Sequence, residues 1–269
     1  MAITTLDLAL AGMKYPNEIV KALSGTLVSG RPHVQWYTAG IPGAGVAPAS
    51  GIGGGILEAP VSGQIPFTDP TSGNSYLARF QGQASQAGTL MLIDRLWANS
   101  GISVTSTSEQ VFTGSAQIPA RDATGTNAGV GVYAAVEVST VTGAGTPTLT
   151  LKYTNSSGTA DKTATNAVLT VAASIAGSFY PIGLAAGDTG IQKAQSITLS
   201  STWTSGAIHV ILYRILARLE LTAAQVPNAI DALTSGFPRI FDKSVLTTVF
   251  IPQTTTTSNI CGHMIYSQG

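Results

Sequence analysis

Hydrophobic and small polar residues alternate along the middle of this chain, between about residues 130 and 221. Apolar residues recur at every second position, at Val132, Ala134, Val136 and Val138 and then at Leu149, Leu151 and Tyr153. A period of two directs one side of each strand into a core and the other side outward. Turn sequences such as GAGTP, NSSG and TSG separate the runs. The pattern predicts a mainly β protein with a β-sandwich or jelly-roll-like core over residues 64–221.

The outward positions of these strands carry Thr, Ser and Ala where Lys and Glu are usual. Sheet faces of this kind are suited to contact with another protein. Earlier in the core, the DPTSGN turn between Phe67 and Tyr76 predicts a hairpin, and the apolar run Leu90–Trp97 is interpreted as a strand. IPARDATGTNAG and YPIGLAAGDTG are expected to be long loops.

The segment 1–63 is expected to hold a short helix and an extended arm. Pro16 suits a first helical turn, Glu18 favours the positive end of the helix dipole, and Gly25 offers a left-handed stop. Glycine and proline are then frequent from Gly30 to Gly63, which disfavours regular elements. This predicts an arm that could lie across a neighbouring subunit.

The segment 222–269 is expected to complete the fold with a short helix and C-terminal strands. Thr222 and Gln225 have capping-box spacing, Pro227 would kink the helix, and Gly236 would end it before Phe237. SVLTTVFIPQTTTTSNICGHMIYSQG then predicts two strands joined by a threonine-rich connection.

Charge is scarce in this sequence. The 269 residues have a formal net charge of zero and 10% charged residues, against roughly 25% in typical soluble domains. So few charges favour association into oligomers. The scattered Lys and Arg residues form no basic patch for nucleic acid, and no run of about 18 apolar residues predicts a membrane span. The N-terminus lacks the basic region of a signal peptide, and the single Cys261 fits synthesis in a reducing cytoplasm.

Catalytic motifs are missing from the sequence. It has no GxSxG, GxGxxG or GxxxxGK pattern, and His33, His209 and His263 each stand alone. We expect His209 to be a structural histidine in a strand, and nothing basic lies beside Cys261 in the sequence to activate its thiol. We therefore predict no catalytic, cofactor-binding or metal-binding residues, no cofactor and no enzymatic activity.

A glycosidase would need two carboxylates in an aromatic-lined groove. The candidates by residue type are Asp94, Asp122, Glu137, Asp161 and Asp188. The aromatic content of 7% disfavours such a groove, and Asp122 and Asp188 lie in loops where Asp commonly binds its own turn backbone.

Four charges lie in or beside apolar runs, namely Asp94, Arg95, Arg214 and Arg218. Charges in such surroundings are normally paired. We expect internal or intersubunit salt bridges.

Several stretches resemble a widespread group of tailed-bacteriophage virion proteins. They are KALSGTLVSGRP (21–32), GQIPFTDPTSGNSYLARF (63–80), LIDRLWANSGI (92–102), VEVSTVTGAGTPTLTLKYTNSSG (136–158), FYPIGLAAGDTGIQ (179–192), STWTSGAIHVILYRILARLEL (201–221) and DALTSGFPRIFD (231–242). The resemblance spans most of the chain and includes no catalytic signature. It implies a virion structural protein assembled in the host cytoplasm, most simply a capsid decoration (cement) protein.

Decoration proteins are often trimeric β-sandwiches seated where capsomers meet, so the resemblance implies a homotrimer and a major capsid protein as partner. The arm (30–63) and the C-terminal strands would then make most intersubunit contacts. An alternative is a tail or fibre component in which Trp36, Tyr37, Trp97 and Trp203 form a surface that stacks on host glycan. A third possibility is an enzyme that degrades surface polysaccharide.

Overall fold

A computed structural model describes residues 3–23, 25–236 and 238–269. Two short helices lie in these ranges, α1 (Leu6–Ala11) and α2 (Ala232–Ser235). The strands, in chain order, are β1 (Asn17–Leu23), β2 (His33–Val34), β3 (Gly40–Ile41), β4 (Gly55–Ile56), β5 (Ser75–Ala84), β6 (Gly88–Ala98), β7 (Gln110–Val111), β8 (Val132–Thr140), β9 (Leu149–Asn155), β10 (Lys162–Thr165), β11 (Phe179–Ile182), β12 (Ile191–Leu199), β13 (Ala207–Leu221), β14 (Asn228–Asp231), β15 (Arg239–Ile240), β16 (Leu246–Pro252) and β17 (Ser258–Gln268).

The strands form three antiparallel sheets. The central sheet has the order β11-β8-β13-β6-β16-β2, with β4 also paired to β6. The small sheet has the order β10-β9-β12-β7. The terminal sheet has the order β14-β5-β17-β1-β3, with β15 paired to β5, and so brings both ends of the chain together. The expected mainly β fold class is confirmed.

Strand β13 contributes to two cores in succession. Its first half packs Ile208, Val210 and Leu212 against the core shared with the small sheet. Its second half packs Ala217, Leu219 and Leu221 into the core shared with the terminal sheet. The inward positions change from even to odd because β13 has an extra residue in its ladder with β6, between Ile215 and Ala217.

The opposite face of the central sheet is covered by the chain's own glycine- and proline-rich arm. Trp36 of the arm lies in a third core with Ile93 and Tyr213 of the sheet, and Leu57 and Val61 pack against it. Both faces of β8 are therefore closed, with Ala135 and Glu137 as fully buried as Val136. The prediction that the second face of this strand points outward is wrong, since the arm turns back onto its own sheet.

The alternating runs form strands as expected. VYAAVEVST is β8, TLKY lies in β9, and the run Leu90–Trp97 lies within β6. The threonine-rich connection joins two C-terminal strands, β16 and β17, which belong to different sheets. YPIG, by contrast, is not a loop, since most of it belongs to β11.

The helix predicted from Pro16 to Gly25 is wrong. Residues 17–23 form β1, which pairs with β17 along its whole length and buries Ile19, Lys21 and Leu23 on alternate positions. Pairing over seven residues outweighs the local helix signals. The N-terminal helix is instead Leu6–Ala11, where the Thr5 hydroxyl accepts a hydrogen bond from the Leu8 N–H as N-cap. Ser24 lies outside the described residues.

The C-terminal helix is shorter than predicted and begins later. Asp231 and Thr234 form its capping box, not Thr222 and Gln225, because residues 228–231 are drawn into pairing with β5. Gly236 ends the helix in the left-handed region, at φ 71°, as predicted. Phe237 lies outside the described residues.

The hairpin predicted around DPTSGN is also wrong. The residues before this turn form no strand, and β5 after it pairs with β14, β15 and β17. Strands of the three predicted segments pair with one another, since β17 lies between β1 and β5. The division at residues 63 and 221 remains a prediction.

Candidate functional site

Two buried charges occupy adjacent positions of β6 and point to opposite faces of the central sheet. Asp94 lies opposite Arg214 of β13, where the first core gives way to the second. Its carboxylate accepts hydrogen bonds from the Ser244 hydroxyl (2.8 Å) and the Val245 N–H (2.9 Å), and Arg121 Nε lies at 3.4 Å. Burial raises the pKa of Asp94, and the two guanidinium groups oppose that shift. This network joins two strands, β6 and β13, to two loops in the interior.

Arg95 makes a second closed network on the arm side of the sheet. Its two terminal nitrogens bind both oxygens of Glu137, at 2.7 and 2.8 Å. The Tyr37 hydroxyl donates to the same carboxylate at 2.7 Å, and the guanidinium lies 4.4 Å from the centre of the Trp36 ring. Burial, followed by the Glu137 charge, raises the pKa of Tyr37 well above its usual value. Trp36 and Tyr37 of the arm are thus each bound to one member of the Arg95–Glu137 pair, and this arrangement fixes the arm to the sheet.

The expectation of salt bridges is met for the four charges singled out in the sequence. Asp94, Arg95 and Arg214 are paired inside the chain, where Arg214 Nη2 lies 3.9 Å from Asp94 Oδ2. Arg218 pairs with Glu220 at 2.7 Å on the surface, with both side chains more than half exposed.

The remaining candidate carboxylates, Asp122, Asp161 and Asp188, lie in loops. Asp122 accepts hydrogen bonds from the backbone and hydroxyl groups of Thr124 and Thr126 and from the N–H groups of Gly129 and Val130. Burial alone would raise the pKa of Asp122, but these bonds outweigh it and lower the pKa. Its turn-forming role is thus as predicted.

Asp188 differs from the expectation. Its carboxylate accepts hydrogen bonds from Asn155 and the Tyr153 hydroxyl of β9, both at 2.7 Å, and not from its own turn. These bonds lower its pKa. Asp161 is exposed in left-handed backbone, at φ 59°. No pair of these carboxylates shares a hydrogen-bonding partner within the described residues.

The histidines lie in three different places. His209 has partners at both ring nitrogens, Ser139 Oγ at 2.7 Å and the Asn99 carbonyl at 2.8 Å. His33 Nε2 lies 2.9 Å from the Ala176 carbonyl, and burial lowers its pKa to about 4. His263 is half-buried on the outer face of the terminal sheet, in register with Glu18 and Gln81.

Cys261 lies on the same face as His263, because residues two apart on a strand point the same way. Both line a shallow depression of about 250 Å³ with Glu18 and Gln83. The spacing of the two residues in the sequence would have revealed this shared face. In the described ranges, no group of three or more His, Cys, Asp or Glu side chains could hold a metal ion. No helix in those ranges is long and apolar enough to cross a membrane.

The aromatics expected at loop tips are buried. Trp97 and Trp203 are fully buried, Trp36 is 4% exposed, and the Tyr37 hydroxyl is bound to Glu137. They fill the cores and form no surface on which a sugar ring could stack. The predicted glycan-stacking surface is therefore wrong.

Large apolar side chains are exposed along one edge of the terminal sheet. We call this surface the N-terminal edge, and its members, with their exposed fractions, are Leu6 (72%), Leu10 (53%), Met13 (43%), Tyr15 (93%), Val20 (40%) and Ile41 (53%). Residues 13–23 run antiparallel along β17, and Ile41 pairs with Val20. Helix α1, which carries Leu6 and Leu10, lies at the end of the same strand, where the Ser267 hydroxyl donates to the Ala9 carbonyl. Sequence reasoning missed this surface, since Leu6 and Leu10 did not suggest a separate helix.

Strand β1 is only partly covered at this edge. Beyond β17, its pairing in the described chain is limited to Val20 with Ile41 and Lys21 with Gly40. Lys21 points inward, and its amine donates to the carbonyls of Thr38 (2.8 Å), Pro42 (2.5 Å) and Gly43 (3.3 Å). Burial lowers the pKa of Lys21 to about 8. One lysine thus holds the short strand β3 against an otherwise open edge.

No family model and no curated protein matches the chain. Among solved structures, it is similar to infectious bursal disease virus Gt strain at 10% identity, with 95% of this chain and 82% of that chain covered and a TM-score of 0.23. It is also similar to the VP2 subviral particle of infectious bursal disease virus, at 9% identity, 96% and 82% coverage and a TM-score of 0.18. Similarity this low does not establish a shared fold.

Proposed function

We propose that this chain is a virion structural protein of a tailed bacteriophage, and specifically a capsid decoration protein that forms a homotrimer and binds the major capsid protein. The N-terminal edge is the observation that carries the proposal. The resemblance of the sequence to phage virion proteins and its low charge support it.

The N-terminal edge supplies two kinds of contact to a second copy. Strand β1 leaves backbone N–H and C=O groups unpaired on its outer side, and exposed strand edges readily pair with another chain. Proteins that avoid this outcome place lysines along such edges, whereas here Lys21 is turned inward and Val20 and Ile41 are exposed. Burying that apolar surface contributes about 25 cal/mol per Å².

The pairing of charged groups in the protein interior favours a structural role. The networks around Asp94 and Arg95 are closed, and the arm is held to the terminal sheet by Lys21 and to the central sheet by Trp36. A rigid subunit of this kind stabilises a shell by contacts repeated over many copies, with no single strong site. From the arm and the C-terminal strands, we expect Ile41 and the outer face of β17 to contribute to the contacts between subunits.

A binding assay on empty phage heads lacking this protein tests the role. We expect the purified protein to bind these heads in many copies and to raise their resistance to heat or chelator, and we expect no binding to host cells. A Leu6→Ser/Leu10→Ser variant should bind at least tenfold more weakly. Leu169→Ser/Leu233→Ser is the matched control, because those leucines are 82% and 91% exposed but lie away from the N-terminal edge. This variant should bind the heads as the wild type does.

Binding to host cells with no binding to heads would contradict the decoration role and favour a tail or fibre component. Release of sugar from host envelope polysaccharide would contradict a structural role altogether.

A further inference from the structure

One buried arginine lacks the partners that the others have. Four arginines are buried in the described chain, Arg31, Arg95, Arg121 and Arg214. Three of them use their terminal nitrogens on carboxylates or backbone carbonyls. Arg31 is 8% exposed, yet no hydrogen bond or ion pair to a described residue engages its guanidinium. The guanidinium carbon lies 5.6 Å from the centre of the Tyr180 ring.

Arg31 lines a cavity of about 260 Å³. The cavity lies between the turn 26–33 and the loop 171–178, two segments joined by the bonds from Val34 N–H to the Gly177 carbonyl and from Phe179 N–H to the Pro32 carbonyl. Arg31 Nε is buried and has no hydrogen-bond partner among the described residues. The two terminal nitrogens of the guanidinium, by contrast, are not buried. The charged end of the side chain is therefore open to the cavity.

Other polar groups of this cavity also lack partners. Ser178 is 3% exposed, and its hydroxyl makes no hydrogen bond to the described residues. His33 lines the same cavity and has a buried Nδ1 without a partner. The rest of the lining is largely aliphatic, including Leu27, Val171 and Ile175.

We infer that this cavity binds the carboxylate of a small organic anion, held by the Arg31 guanidinium with the Ser178 hydroxyl as a second donor. A buried cation without a counter-charge is costly, and a bound carboxylate would remove that cost. The planar guanidinium matches a carboxylate in a two-point hydrogen-bonded geometry. A single buried cation balances a monoanion, which favours a carboxylate over a phosphate dianion, and the aliphatic walls suit a ligand with an apolar body.

The carboxylate has two possible sources, a free ligand or an acidic side chain of a neighbouring copy. Calorimetric titration with benzoate, and with benzamide as its neutral isostere, tests the site. We expect benzoate to bind at least tenfold more tightly than benzamide, and Arg31→Met to lower benzoate affinity at least tenfold. Arg218→Met, which removes an exposed arginine, should leave the affinity unchanged.

A second readout separates binding from a merely structural role. Arg31→Met should keep or raise the thermal midpoint, because it removes a buried charge that has no counter-charge. The oligomer mass identifies the source: a mass that falls in Arg31→Met, or on adding benzoate, assigns the carboxylate to a neighbouring copy. Equal binding of benzoate and benzamide, equal benzoate binding by Arg31→Met and wild type, or no benzoate binding together with an unchanged mass, would each overturn the inference.

Discussion

At the residue scale, the position of adjacent charges on β6 has the largest consequences for stability. Asp94 and Arg95 are both fully or almost fully buried, one on each face of the central sheet. Buried ion pairs of this kind contribute little net stability when intact, but removal of one partner leaves a charge that cannot be solvated. The pair Arg95–Glu137 is the clearer case, since its contacts are all between side chains.

We predict that Glu137→Gln lowers the free energy of unfolding by about 3–5 kcal/mol, because it leaves the Arg95 charge buried without a counter-charge. Denaturant titration measures the change. The double variant Arg95→Met/Glu137→Leu should recover more than half of the loss, since it removes both charges together.

The exposed pair Arg218–Glu220 provides the control. Arg218→Gln should change the free energy of unfolding by less than about 1 kcal/mol, because solvent screens that pair. If the double variant is as unstable as Glu137→Gln alone, the network contributes through shape and hydrogen bonding, and the charge argument is wrong.

At the scale of elements, the strands of the core could be predicted from the sequence but the two ends could not. Val132 to Val138 and Leu149 to Tyr153 follow a period of two, and they form β8 and β9. The same period is present at Ile19, Lys21 and Leu23, but a buried lysine concealed it. Pro16, Glu18 and Gly25 gave local helix signals that carry no information about the pairing of β1 with β17.

The surface that the arm covers could not be predicted from the sequence either. Glycine and proline density indicates loops, but it does not say which surface the loops cover. Trp36 and Tyr37 could have been exposed or buried, and the contacts that bury them come from Arg95 and Glu137, about 60 and 100 residues away in the chain. The open cavity at Arg31 depends on the same long-range packing, so no local pattern marks it.

Lys21 is the residue that holds the arm to the terminal sheet. We predict that Lys21→Met destabilises the chain by about 1–3 kcal/mol, because three partly buried carbonyls lose the amine that donates to them. Hydrogen exchange should show the loss concentrated in residues 38–43, with faster exchange there and little change in β8 or β13. Uniformly faster exchange over the whole chain would mean that Lys21 supports the global fold and not this segment.

At the scale of the whole molecule, the three sheets and the arm enclose three hydrophobic cores, and most large apolar side chains are buried in them. The N-terminal edge carries six of the fourteen exposed large apolar side chains of the described residues, and it coincides with the side of β1 that β3 covers at only two positions. Its exposure is costly for an isolated chain with zero net charge, and association removes that cost. We therefore propose that this edge joins copies of the chain.

Sedimentation at micromolar concentration measures whether the N-terminal edge joins copies of the chain. The wild-type protein should sediment as three chains of 27.4 kDa, whereas Leu6→Ser/Leu10→Ser/Val20→Thr should sediment as one chain with an unchanged circular dichroism spectrum. Leu169→Ser/Leu233→Ser should remain trimeric. A wild-type protein that stays monomeric at every concentration, or an edge variant that assembles as the wild type does, would show that the N-terminal edge does not join copies of the chain.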